Sequence, residues 1–89
     1  MQMIYLTNDE LDQAVYFDLR KQEPRRKAGG TEHLFYGLLG NGVSEVQVTV
    51  RSWRDCIDVA FGRGNLFSFV EESTIRRMVG EVVRELAVH

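Results

Sequence analysis

The clearest pattern in the chain is the alternation of apolar and polar residues within Val43–Trp53. Successive side chains of a β-strand point to opposite faces of a sheet, so this alternation predicts a strand with one buried and one solvent-facing side. The buried positions are β-branched, which also favours a strand. They are Val46, Val48 and Val50. The solvent-facing positions are Gln47, Thr49, Arg51 and Trp53.

Further strands are predicted on both sides of this one. Glu32–Leu39 alternates as well, and the glycines and asparagine of Gly40–Gly42 are typical of a hairpin turn. Ile57–Phe61 begins another alternating run after a bend, and Gly62–Asn65 predicts a second turn before Leu66–Val70. The middle of the chain therefore predicts an antiparallel meander of three to four strands.

The first third of the chain predicts a helix. Residues 2–6 are apolar and could form a short edge strand. A capping box between Thr7 and Glu10 then starts a helix that runs to about Glu23, because Pro24 cannot continue it. Apolar residues follow one side of this segment, so the helix is expected to pack on the sheet.

The last part of the chain predicts a second helix, capped by Ser73 and ending near Ala87. Its apolar residues recur at the spacing of one helical face. They are Ile75, Met78, Val79, Val82, Val83 and Leu86. The whole chain, residues 1–89, is thus expected to be a single α+β domain with an N-terminal and a C-terminal helix packed on one face of the sheet. The other sheet face would remain open.

Composition narrows the class of protein. A chain of 89 residues with 44% hydrophobic and 27% charged residues is expected to fold as one small globular domain. Its net charge of −2 gives no overall attraction to nucleic acid or to anionic membrane. No apolar run is long enough to span a bilayer, and the start of the chain does not resemble a signal peptide. A single cysteine, Cys56, excludes an internal disulfide, which fits a cytoplasmic location.

No group of residues predicts catalysis, metal binding or a cofactor. His33 and Cys56 could form a nucleophile and base, but a strand is expected to separate them. Asp55 and Asp58, or Glu71–Glu72, lack the apolar surroundings that would move their pKa values apart. Each is better interpreted as a turn or surface residue, and we therefore expect a protein that is not an enzyme.

The open sheet face is the best candidate for function. We expect Phe35 to lie there beside Gln47, Thr49, Arg51 and Trp53. Tryptophan and arginine are enriched at the centres of protein interfaces. The first hypothesis is a binding protein of the inhibitor, immunity or adaptor type, which docks a protein partner or a second copy of itself.

A nucleic-acid-binding module is the alternative. Three consecutive cations, Arg25, Arg26 and Lys27, precede two glycines and predict a solvated loop. Together with Arg54 and Arg63 they could contact phosphates while the aromatic side chains stack on bases.

Overall fold

The computed structural model describes residues 2–7, 9–64 and 66–88, which form one antiparallel sheet and one helix. The strands lie in the sheet in sequence order. The elements are β1 (Gln2–Leu6), β2 (Val15–Lys27), β3 (Gly30–Gly40), β4 (Glu45–Trp53), β5 (Cys56–Phe61) and α1 (Phe69–Val88). The predicted antiparallel meander and C-terminal helix are confirmed, but the sheet has five strands and the predicted N-terminal helix is wrong.

The valine side of β4 forms the centre of the core. Val46, Val48 and Val50 are at most 5% exposed, and α1 packs over them. The helix residues at the contact are fully buried and one turn apart: Ile75, Val79 and Val83. The other strands contribute Leu6, Val15, Phe17, Leu19, Phe35 and Leu39. One helix therefore covers this face, where the sequence predicts two.

Strand β2 occupies much of the predicted N-terminal helix. Val15, Phe17 and Leu19 alternate with polar residues and are buried, so this segment also carries a strand pattern. The aromatic and β-branched residues Val15–Phe17 favour the strand, and pairing with β1 and β3 stabilises it. Pro24 is tolerated because β1 pairs with β2 only up to Leu19, which leaves that part of β2 at the sheet edge.

The predicted capping box has a different role. Glu10 accepts a hydrogen bond from Thr74 Oγ1 at 2.7 Å and pairs with Arg77 at 3.6 Å, so it links the β1–β2 loop to α1. Asn8 of that predicted motif lies outside the described residues.

Helix α1 begins earlier than Ser73, and a capping box that the sequence analysis missed starts it. The Glu71 backbone N–H donates to Ser68 Oγ at 3.1 Å, and the Ser68 backbone N–H donates to Glu71 Oε1 at 3.2 Å. This backbone hydrogen bond from Ser68 holds the pKa of Glu71 below its ordinary value. The strand predicted over Leu66–Val70 is therefore wrong, because this segment leads into the helix and contains its first residues.

The three consecutive cations do not form the predicted loop. Arg25, Arg26 and Lys27 end β2 and pair with the start of β3. A tight turn at Ala28 and Gly29 reverses the chain, and Gly29 adopts a φ of 93° that disfavours other residues. The glycines thus produce a hairpin rather than a solvated loop.

Two glycine substitutions, one in β3 and one in α1, test how closely these elements pack on their neighbours, and they should change stability in opposite directions. At Gly37 a Cβ atom would collide with the backbone carbonyl of Asp18 and lie 2.8 Å from the Phe17 ring. We predict that Gly37→Ala lowers the free energy of unfolding by about 1–3 kcal/mol. At Gly80 in α1 the nearest atom is an Ile57 methyl at 3.9 Å. Gly80→Ala should therefore raise the free energy of unfolding by up to about 1 kcal/mol, because alanine has a higher helix propensity than glycine.

Urea denaturation of the two variants and the parent chain measures both effects. Equal stabilities for the two variants would contradict the described packing of β3 on β2 and of α1 on β5.

Candidate functional site

The sheet face opposite α1 is covered by no described element. We call it the open face. It carries one large aromatic side chain from each of the first four strands, namely Tyr5, Tyr16, Tyr36 and Trp53. Tyr5 is 72% exposed, and the other three rings are partly exposed. Its further exposed or partly exposed members include Met3, Leu38, Gln47, Thr49, Arg51 and Asp58.

The solvent-facing positions of β4 lie on the open face, as the alternation implies. The residues that the sequence analysis assigned to this surface and that the structure places there are Gln47, Thr49, Arg51 and Trp53. The polar ones are exposed, and Trp53 is partly buried.

Phe35 lies on the other side of the sheet. It is fully buried in the core, and it is the cross-strand partner of Val50. Directly opposed residues share a face, so Phe35 points under α1 with the valines. The expectation that Phe35 borders Trp53 on the open face must be corrected, and Phe35 has no surface to offer a partner.

Tyr36 takes the place that was expected for Phe35. It pairs with Thr49 in the sheet, and Leu34 and Leu38 precede and follow it on the same face. The Lys21 ammonium lies 5.7 Å from the centre of its ring. The alternation of β3 separates Tyr36 from Phe35, but only the register between β3 and β4 tells which of them is exposed.

Tyr16 lies flat across β3 because Gly40 leaves room for it. A side chain on Gly40 would collide with the Tyr16 ring. The Tyr16 hydroxyl donates a hydrogen bond to Glu45 Oε2 at 3.1 Å, which fixes the ring across two neighbouring strands. The sequence analysis missed Tyr16 because it placed this residue on a helix.

Trp53 is held between cations at one end of the open face. Lys27 Nζ lies 5.8 Å and the Arg54 guanidinium 5.1 Å from the centre of its ring. The ring lies against Gly30, where a Cβ atom would be 3.7 Å away. Attraction between cation and ring electrons keeps the indole near the sheet surface rather than free in solvent.

A chain of ion pairs crosses the sheet beside Trp53. Glu32 is only 4% exposed at its side chain, and it pairs with Lys27 at 3.2 Å and Arg51 at 3.6 Å. Arg51 also donates to Asp58 at 2.8 Å. A buried carboxylate requires such partners, because an unpaired charge would be costly to remove from water. Lys27 and Arg51 thus already have acidic partners.

The predicted basic residues do not form one surface. Arg25 and Lys27 are in ion pairs with acidic neighbours, and Arg54 lies on the Trp53 ring. Arg26 is exposed and forms no ion pair with a described residue. Arg63 follows β5 at the end of the sheet opposite Arg54. The length of β5 separates the two residues by roughly 20 Å at the usual rise per strand residue.

The residues considered as a nucleophile and its base are also far apart. His33 lies on the helix-covered face and Cys56 is exposed on the open face, so β4 and the sheet itself separate them. Among the described residues no three His, Cys, Asp or Glu side chains are grouped to hold a metal ion. In the same ranges no helix combines the length and apolarity that crossing a bilayer requires.

The hydrogen bond between Tyr16 and Glu45 predicts that the pKa of Tyr16 depends on the charge of Glu45. Shielding from water and then the bond to Glu45 raise the pKa of Tyr16 above 10.0, because both favour the protonated phenol. We predict that Glu45→Gln lowers the pKa of Tyr16 by removing the nearby negative charge. NMR of the tyrosine ring carbons as a function of pH measures the Tyr16 pKa. The control is Glu81→Gln on α1, which removes a carboxylate from the other side of the sheet and should leave the Tyr16 pKa unchanged. An unchanged Tyr16 pKa in Glu45→Gln would contradict the hydrogen bond between Tyr16 and Glu45.

Comparisons with known proteins give this chain no relatives: no protein-family model matches, and neither curated proteins nor solved structures yield a match.

Proposed function

We propose that this protein is a non-enzymatic binding protein of the inhibitor, immunity or adaptor type, which docks a protein partner or a second copy of itself on the open face. The observation that carries the proposal is the row of aromatic rings on a sheet face that no described element covers. Antiparallel sheets commonly face water on one side, but that side is then mostly polar.

The composition of the open face supports a protein partner. Tyrosine, tryptophan, methionine and arginine are the residues that interfaces enrich, and large exposed rings are rare on surfaces without a partner. Tyr5 at 72% and Met3 at 49% exposure lie at the β1 side of the face. Tyr36 and Leu38 lie near its centre, where hot-spot residues concentrate.

The charges of the open face favour a protein over a nucleic acid. Lys27 and Arg51, which lie beside Trp53, are paired with Glu32 and Asp58, so a phosphate backbone would have to displace those carboxylates. A protein surface can instead pack on the rings and meet the remaining charges at the rim. Arg26 and Arg63 are too far apart to act together on one phosphate.

Site-specific photocrosslinking tests the proposal. A photoreactive amino acid at Thr49 samples the open face, and the same group at Glu85 samples the solvent side of α1. In the native host, crosslinked products should form from position 49 and not from position 85. Light scattering on the purified protein then distinguishes a second copy from a different partner.

Two substitutions on the open face, Tyr5→Ala and Trp53→Ala, should weaken binding of the partner. Tyr5 is so exposed that its removal should change stability by less than about 0.5 kcal/mol, while the crosslink at position 49 weakens. Trp53→Ala should abolish the crosslink with little change in circular dichroism. Equal crosslinking from positions 49 and 85 would contradict the proposal.

The salt dependence of oligonucleotide binding distinguishes the nucleic-acid alternative from a protein partner. Binding of single-stranded oligonucleotide that falls steeply with ionic strength, and that Arg25→Ala with Arg26→Ala flattens, would overturn a protein partner as the main function.

A further inference from the structure

The free edge of the sheet at β5 is a second surface, separate from the open face and independent of the function proposed for it. β5 pairs with β4 and has no other strand neighbour among the described residues. A groove of about 580 Å³ lies between this edge and α1, and we call it the edge groove. From β5 its lining comprises Ile57, Asp58 and Val59. From one side of α1 it comprises Ser73, Arg76, Arg77, Gly80, Glu81 and Arg84.

Every second residue of β5 turns its backbone polar groups toward the free edge. The Gly62 N–H donates to the Gln47 carbonyl at 2.7 Å, which sets the phase of the hydrogen bonds between β4 and β5. Antiparallel strands exchange these bonds at alternate residue pairs, so Ala60 and Asp58 bond to β4. The N–H and C=O groups that point outward belong to Ile57, Val59 and Phe61. An edge of this kind can accept a further strand.

Arg76 contacts the middle of this edge. Its guanidinium donates a hydrogen bond to the Val59 carbonyl and lies 4.6 Å from the centre of the Phe61 ring. The bond agrees with the phase set by Gly62, because it requires the Val59 carbonyl to point away from β4. A guanidinium bonds a carboxylate about twice as strongly as neutral partners bond each other. An incoming strand that offers a carboxylate could therefore draw Arg76 away and leave the Val59 carbonyl to a backbone N–H.

The charges of the edge groove favour an acidic strand. The lining contains three arginines, and two of them, Arg76 and Arg84, form no ion pair with a described residue. Asp58 directs its carboxylate to Arg51 on the open face. Glu81 is then the acidic side chain of the lining that remains on the α1 side, so positive charge exceeds negative charge in the groove.

The spacing of the helix residues matches the repeat of a strand. Arg76, Gly80 and Arg84 follow one another at every fourth position of α1. The two arginines are therefore about 12 Å apart along the helix axis, and strand residues four positions apart are separated by about 13 Å. Between the arginines, Gly80 has no side chain, and a Cβ atom there would lie 3.9 Å from an Ile57 methyl group. A small apolar side chain fits at this point.

We propose that the edge groove binds an extended segment of a partner protein as a sixth strand, antiparallel to β5. The segment carries two acidic residues four positions apart and a small apolar residue midway between them. The N–H of the middle residue replaces Arg76 at the Val59 carbonyl, and the two carboxylates pair with Arg76 and Arg84. Antiparallel pairing continues the sheet and is slightly more stable per residue than parallel pairing.

Three heptapeptides with blocked ends test this proposal. The first is Thr-Glu-Thr-Val-Thr-Glu-Thr, the second has glutamine in place of both glutamates, and the third has N-methylvaline in place of valine. Amide NMR of the labelled protein should show saturable shifts along β5 with the first peptide. Hydrogen exchange at the Ile57, Val59 and Phe61 amides should slow only in that complex, whereas the Ala60 amide should exchange slowly with and without peptide.

The other two peptides separate charge from backbone pairing. The glutamine peptide should bind at least about tenfold more weakly, because it loses both charge-assisted contacts. The N-methyl peptide should not saturate, because it lacks the N–H for the Val59 carbonyl. Absent saturable shifts with the first peptide, or shifts confined to the open face, would overturn the site. Equal binding of the glutamine peptide would overturn an acidic partner, and equal binding of the N-methyl peptide would overturn strand addition.

Three substitutions of exposed arginines complete the test. Arg84→Gln should weaken binding of the first peptide by about tenfold. In Arg76→Gln the preference for the first peptide over the glutamine peptide should fall by a similar factor. Arg26→Gln is the matched control, since Arg26 is exposed, forms no ion pair with a described residue and does not line the groove.

Two outcomes of these substitutions would overturn the proposal. Equal losses in all three variants would indicate nonspecific attraction between the peptide and the arginines. Self-association of Arg76→Gln in light scattering, together with no peptide binding by the parent chain, would show that Arg76 only shields the edge from other strands.

Discussion

The burial of the β4 valines beneath α1 is the interaction on which the rest of the structure depends. Complete burial of an aliphatic side chain stabilises a fold by about 1.5–3 kcal/mol, and both partners in this contact bury such residues fully. The contact also has a geometric consequence. Side chains alternate along a strand, so covering the side of Val48 necessarily turns Thr49 and its neighbours toward the open face.

The proposed interface on the open face follows from this one-sided cover. With a single helix on the sheet, the open face keeps its aromatic rings accessible. Trp53 and Arg54 are adjacent in the chain, and the Arg54 guanidinium contacts the Trp53 indole on the open face.

The sequence predicts well those elements that carry one unambiguous period. The alternation of β4 and the helical spacing of α1 have no competing interpretation, and both elements are present. Val15–Leu19 is different, because its apolar residues fit a helical face and a strand face alike. Pairing with β1 and β3 decides between them, and that pairing is a long-range interaction that no local pattern contains.

The candidate sites depend even more on long-range geometry. Phe35 and Tyr36 are neighbours in the chain, and a shift of register by one residue would exchange the buried one and the exposed one. The pairing of Phe35 with Val50 fixes that choice. Likewise, the contact of α1 with the β4 valines requires the position of the helix on the sheet, which spacing along the chain does not give.

The most direct measurement of the central claim compares Val48→Asp with Thr49→Asp by thermal unfolding. These adjacent β4 residues differ in the face that they occupy, because Val48 is 2% exposed and Thr49 is exposed. The structure predicts that Val48→Asp loses the cooperative transition, since an unpaired carboxylate would lie beneath α1, and that Thr49→Asp unfolds close to the parent midpoint. Similar midpoints for the two variants would contradict a sheet covered on one face by α1.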